Sequence, residues 1–324
     1  MTGTVTLVGA GPGDAGLLTL RGLRALEQAD VIVADRLGAR SVLEQLAAEG
    51  FVFGAEVIDV GKLPGHHPVP QDGINELLVE LAQAGREVVR LKGGDPFIFG
   101  RGREEQLFCE AAGVHVEVVP GVTSAVSVPA VAGIPLTHRG VAASFTVVSA
   151  HDQIATVPGG ADHTVVLLMG VGTLAHSAHV LAAGGRGDDC PVAIVEDGYG
   201  PGERVTIGTL STIAHLAAAK QVRSPAVVVV GDVVRLSPYA VDAVPVSVAG
   251  DPSSRRSAPR SGTGQISAPE RAQRDEGRTP HWTDALDAGL AVDTGLIRAV
   301  DQALAPAGIR TSFSSLFSRK APTA

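Results

Sequence analysis

The stretch VVRLKGGDPFIFGRG at residues 88–102 runs from apolar positions (Val88, Val89, Leu91) into Gly93 and Gly94, then into Asp95 and a turn carrying Arg101. Adjacent glycines let a backbone approach a ligand closely. Asp95 is an acceptor able to meet ribose hydroxyls or an ammonium group, or else a cap for the helix that follows Pro96. A second glycine turn, GAGPGD at residues 9–14, follows the first apolar run. It fails the dinucleotide fingerprint because Asp14 stands where the last glycine belongs, and neither turn has P-loop spacing. Pro12 also removes an amide that a phosphate nest would use. The pattern favours a nucleoside ligand without phosphates, with a plain tight turn as the alternative.

Other residues add charge and hydroxyls. Thr123 and Ser124 follow Pro120-Gly121, a place where small hydroxyls cap helices. Arg36 in ADRLG, Arg101 in FGRGREE and Arg139 after GIPLTH set cations near turns, as a polycarboxylate substrate requires, although each alone reads as a surface residue. His66 and His67 point in different directions and have no third ligand at helical or hairpin spacing, so no metal is expected. No G-x-S-x-G elbow occurs. The chemistry therefore needs neither a metal nor a protein nucleophile.

The elements that must hold these residues follow from periodicity. Over residues 1–140 apolar strand-like runs alternate with helical patterns, which predicts an α/β domain with a parallel sheet whose ligand sits at the carboxyl ends of the strands. A second α/β series covers 141–239. From 240 to 324 the chain turns rich in Ser, Pro, Gly and Arg and is expected to be disordered, with Leu286, Leu290, Ile297, Val300 and Leu304 spaced like a weak helical face interrupted by Gly289 and Gly295. With 324 residues, 45% hydrophobic, the chain can build a large core. Cys109 and Cys190 are far apart and imply no disulfide framework. The formal charge of -8 and only 3% aromatic residues exclude a basic, stacking nucleic-acid surface. No signal pattern or membrane-length apolar run is evident, so a cytoplasmic protein is expected.

Taken in order, VTLVGAGPGDAGLLTLRGLRAL, ADVIVADRL, GKLPGHHPVPQDGINELL, VVRLKGGDPFIFGRGREE, VVPGVTSAVSVPAVAGIPLTHR, LLMG and VEDG resemble the uroporphyrinogen-III C-methyltransferases of the tetrapyrrole methylase superfamily, over residues 3–237. The resemblance implies two α/β domains with the active site in the cleft between them, S-adenosylmethionine as cosubstrate, and a homodimer. It implies methylation of uroporphyrinogen III at C2 and C7, through precorrin-1 to precorrin-2, for sirohaem or cobalamin. The rivals are a methylase of a later precorrin and a sensor of S-adenosylmethionine, and a further expectation is that the tail hands product to a precorrin-2 processing enzyme.

Matched position by position, the resemblance places Pro12, Gly93, Gly94, Asp95, Ile98, Thr123, Ser124, Met169 and Gly198 at the cosubstrate. Asp35 and Lys62 become proton acceptor and donor. Arg36, Arg101, Glu104 and Arg139 bind substrate, with Arg101 also implicated in deprotonation. The chain departs from the pattern at Ala15, where proline is usual, at Leu63 after Lys62, and at Asp197-Gly198-Tyr199 in place of Asn-Gly-Thr.

Overall fold

The structure, a computed structural model, describes residues 2–35, 38–61, 70–151, 154–160 and 162–240. The serine- and arginine-rich segment expected beyond 240 lies outside them. In the first half β1 (Thr4–Gly9) leads to α1 (Leu20–Gln28), β2 (Val31–Ala34) to α2 (Ala39–Ala48), and β3 (Glu56–Asp59) to α3 (Gln71–Gln83). Then β4 (Val88–Lys92) leads to α4 (Gly102–Ala111) and β5 (His115–Val119) to α5 (Ser124–Val131). The five strands are parallel in the order β3-β2-β4-β1-β5. Crossover helices cover both faces, so the strands read as near-continuous apolar runs. Val5 and Leu7 of β1 share a core with Ile74, Leu78 and Cys109, while Val8 packs with Leu26, Val42 and Leu46.

The strand order matters for the site. β1 lies between β4 and β5, far from both in sequence, so the turns that leave these three strands emerge side by side. Thr19 caps α1 through its hydroxyl, which accepts from Gly22 N at 3.1 Å, and Thr123 caps α5 by accepting from Ala125 N at 3.3 Å.

The second half contributes β6 (Ser144–Ser149), β7 (His163–Leu168), α6 (Leu174–Leu181), β8 (Pro191–Glu196), β9 (Arg204–Thr209), α7 (Ile213–Ala219) and β10 (Ala226–Val230). This sheet is mixed, in the order β6-β7-β10-β8-β9, and only β6 and β7 run parallel. The short turn between β8 and β9 forces an antiparallel pair, and β10 inserts antiparallel between β7 and β8. α6 and α7 bury Leu174, Leu181 and Ile213 on one face. The other face is covered by α5, whose Ala125 and Val128 pack with Val166, Val195 and Val229. A division after residue 140 assigns α5 to the first half, whereas its side chains pack in the second core. No helix among the described residues is long and apolar enough to cross a membrane.

Cys109 is wholly buried, and its thiol is pushed up to about 11, chiefly by burial and then by Glu105 and Glu110. Only the thiolate is a good nucleophile. Native protein near pH ~8 is therefore expected to leave Cys109 unalkylated by iodoacetamide, with modification appearing on denaturation. Rapid modification of Cys109 in the native state, read by peptide mass spectrometry, would contradict this packing.

Candidate active site

Three turns meet at the carboxyl ends of β4, β1 and β5. Gly94 N donates to Gly11 O at 2.7 Å and Gly11 N to Gly94 O at 3.1 Å, a two-way backbone bridge between the two glycine turns. A Cβ on Gly9 would fall 2.5 Å from the Gly121 Cα and 2.6 Å from Gly94 O, so side chains are excluded here by backbone alone. Asp95 ties the group together: its Oδ2 accepts from Gly121 N at 3.0 Å and its Oδ1 from Phe97 N at 2.8 Å. Two acceptor sites are thus used to hold backbone. Gln45 of α2 braces the first turn, donating to Gly13 O at 2.7 Å and accepting from Ala15 N at 3.0 Å. The proline usual at position 15 could not make that last bond.

These turns border a cleft of about 730 Å³ whose other wall comes from the second sheet. Pro12, Gly93, Ile98, Ser124, Met169 and Gly198 line it, as do Asp35 and Arg101. Gly94 and Thr123 stand one step back, in the bridge and the α5 cap, and Asp95 does not itself line the cleft. Arg139 is exposed in a turn closed by His138 and Ala142 and is not on the cleft wall. Arg36, Lys62, His66 and His67 lie outside the described residues. An adjoining hollow of about 470 Å³, lined by Arg40, Ser41 and Glu44, shares Pro12, Asp197 and Gly198 with the cleft. A separate hollow of about 440 Å³ against the first sheet presents Arg21 and Arg24 beside Glu87 and Glu117, with no glycine turn.

Backbone strain gathers at the cleft. Phe99, Arg101, Met169 and Asp197 all line it with positive φ, between 45° and 58°, a region that side chains disfavour. Arg101 is the residue before α4, and the flanking glycines have a reason: a Cβ on Gly100 or Gly102 would press on Pro96 O. Its guanidinium grips Glu104 through Nε at 3.0 Å and through a terminal nitrogen at 2.5 Å. The Glu104 hydrogen bond, then its charge, holds the arginine pKa above its ordinary value, while that hydrogen bond holds the glutamate below its own. On the opposite wall Tyr199 donates its hydroxyl to Ser127 O at 3.0 Å, and a Cβ on Gly198 would meet Val128 at 2.8 Å, so the β8–β9 turn is seated on α5.

The sequence reading missed a buried charge cluster under the cleft. Arg90 and Lys92, alternate residues of β4, both line the cleft and both turn toward α4. Glu105 Oε1 accepts from Lys92 at 2.8 Å, from Gln71 at 3.1 Å and from Arg90 at 3.3 Å. Arg90 also donates to Asp35 Oδ1 at 2.6 Å. Burial first, then the Arg90 charge, pulls Lys92 below the usual lysine pKa, against the opposing pull of Glu105 and Asp35. Two bases two residues apart in an otherwise Val/Leu strand of a parallel sheet were the available signal.

The close approach at Gly121 is testable. Gly121→Ala is expected to lower the unfolding free energy by about 1–3 kcal/mol in urea denaturation, because the added methyl has only backbone to displace. Unchanged stability would contradict the latch.

The chain is similar to known proteins. The chain matches the model for Tetrapyrrole (Corrin/Porphyrin) Methylases over residues 4–214. It is 46% identical over 242 residues to the S-adenosyl-L-methionine-dependent uroporphyrinogen III methyltransferase of Methanosarcina barkeri, covering 72% of this chain and 93% of that protein. It is 48% identical over 241 residues to siroheme synthase 1 of Klebsiella pneumoniae, covering 72% of this chain but only 50% of that longer protein. Among solved structures, the uroporphyrin-III C-methyl transferase of Thermus thermophilus complexed with S-adenyl homocysteine is 42% identical with a TM-score of 0.60, covering 72% of this chain and 100% of that one. With its glycine latch inside the matched span, the chain belongs to the tetrapyrrole (corrin/porphyrin) methylases.

Proposed function

We propose that this protein is an S-adenosylmethionine-dependent uroporphyrinogen-III C-methyltransferase, methylating C2 and then C7 to give precorrin-2 through precorrin-1. The observation that carries the reading is the cleft at the latched strand ends, in a chain that is 46% identical over 242 residues to a relative named for that activity. The cradle suits a sulfonium nucleoside. Its turns permit close backbone approach, Pro12 offers no amide, and Ile98, Phe99 and Met169 present exposed apolar surface. When bound, S-adenosylmethionine supplies an already activated methyl group.

The chain's own residues then have limited tasks: to orient an electron-rich pyrrole carbon and to receive the proton it later loses. Asp35, held by Arg90, is the proton acceptor in this reading, and Lys62 is the donor carried over from the resemblance. Arg101 belongs with the substrate carboxylates. A guanidinium whose pKa is raised by Glu104 is a poor base, so carboxylate binding is the better supported of its two roles. Arg36 and Arg139 extend that cationic set. The product would enter the sirohaem or cobalamin branch, and the protein would act as a cytoplasmic homodimer that hands precorrin-2 to a processing enzyme.

Anaerobic incubation of the purified protein with uroporphyrinogen III and S-adenosylmethionine is expected to add two methyl groups, read by mass spectrometry of the tetrapyrrole. No transfer despite retained S-adenosylhomocysteine binding would overturn the assignment and point to a later precorrin or a sensor. Arg101→Ala is expected to raise the KM for uroporphyrinogen III by about 10- to 100-fold, the worth of a charged hydrogen bond, with S-adenosylhomocysteine affinity little changed. Equal losses for both ligands would contradict the role given to Arg101.

A further inference from the structure

Arg90 is almost wholly buried, with 2% of its side chain exposed, yet it reaches the carboxylate on the cleft wall. Its guanidinium spans four anchors: Asp35 Oδ1 at 2.6 Å, Glu105 Oε1 at 3.3 Å, the Val33 carbonyl at 3.3 Å and the Leu91 carbonyl at 3.4 Å. Asp35 is itself 36% exposed and lines the cleft. The geometry points to Arg90 as the positioning residue of the reaction: anchored by fully buried Glu105, it fixes the Asp35 carboxylate at the cleft wall. This rests on the reading of Asp35 as proton acceptor.

The charges account for the arrangement. Asp35 is faced from β4 by Arg90 and Lys92, and behind them from α4 by Glu105. Beside it on β3, Asp59 is occupied by Arg40 of α2 at 3.4 Å, and Arg40 also holds Glu44. His151 and Asp197 line the cleft from the second half, and Arg101, paired with Glu104, lines it from the first. Arg90, Lys92, Asp35 and Glu105 together sum to zero. Removing Arg90 takes away the ion pair that orients Asp35 and leaves one excess negative charge beside buried Glu105. Glu105 would keep only Lys92 and Gln71, which is why Glu105 serves Arg90 as an anchor rather than facing substrate.

The test uses the full chain with Arg90→Met and Arg90→Lys. Three readouts are taken: S-adenosylhomocysteine affinity by calorimetry, kcat and KM for methyl transfer, and the place of the Asp35 side chain in a crystal structure of each variant. For Arg90→Met the expectation is affinity within about threefold, kcat down by about 100-fold, and the Asp35 carboxylate displaced from its place on the cleft wall. Arg90→Lys keeps the charge but cannot span these anchors, so kcat falls by about tenfold with affinity unchanged. An undisplaced Asp35 carboxylate in Arg90→Met, wild-type kcat in either variant, or parallel losses of kcat and affinity would overturn the proposal. Should Arg90→Met fail to fold, the lysine variant decides by the same split. The place of the carboxylate does not depend on turnover, so a wild-type protein inactive on uroporphyrinogen III would sink the functional reading and still leave this one decided.

Discussion

At Gly9 and Gly121 two strand ends come so close to each other and to the Gly94 carbonyl that a side-chain carbon on either would strike backbone. The site depends on this approach. It sets the GAGPGD turn against the KGGD turn through paired amides, and Asp95 stitches the third turn to them through Gly121. Parallel strands alone would bring three loops to one edge of the sheet. Only the missing side chains let them pack as one surface, with the apolar and charged residues that follow each turn directed at a common cleft.

Electrostatics add a second constraint. The chain is acidic overall, yet its cleft is approached by Arg90, Lys92 and Arg101, so cations are concentrated locally against the general field. Two of them are buried, which is unfavourable unless paired. Pairing comes from Glu105 on α4 and from Asp35 at the end of β2, and the result is a rigid neutral cluster with one carboxylate at its exposed edge. Arg101 follows the opposite plan: it is exposed, strained and gripped by Glu104, and in the role proposed for it would exchange that partner for a substrate carboxylate.

The glycine turns were legible because their signal is local: apolar strand residues followed by Gly, Pro and Asp in fixed positions. The fold of the first half was legible for the same reason. In the second half the apolar runs marked strands but carried no direction, so the antiparallel insertion of β10 could not be read. The Arg90–Glu105 contact joins residues on a strand and a helix whose facing depends on how α4 packs, and no spacing rule reports that. Asp95 was legible as an acceptor from its chemistry, and its hydrogen bond from Gly121 N required the position of β5.

The claim at the centre of this account is that the latched turns form the cosubstrate site. Hydrogen exchange of backbone amides in the full chain, with and without S-adenosylhomocysteine, tests it most directly. The account predicts slowed exchange at residues 11–16, 93–100, 121–125 and 169–170, and none in the hollow around Arg21, Arg24 and Glu117. Protection at that hollow with the glycine turns unchanged would contradict it.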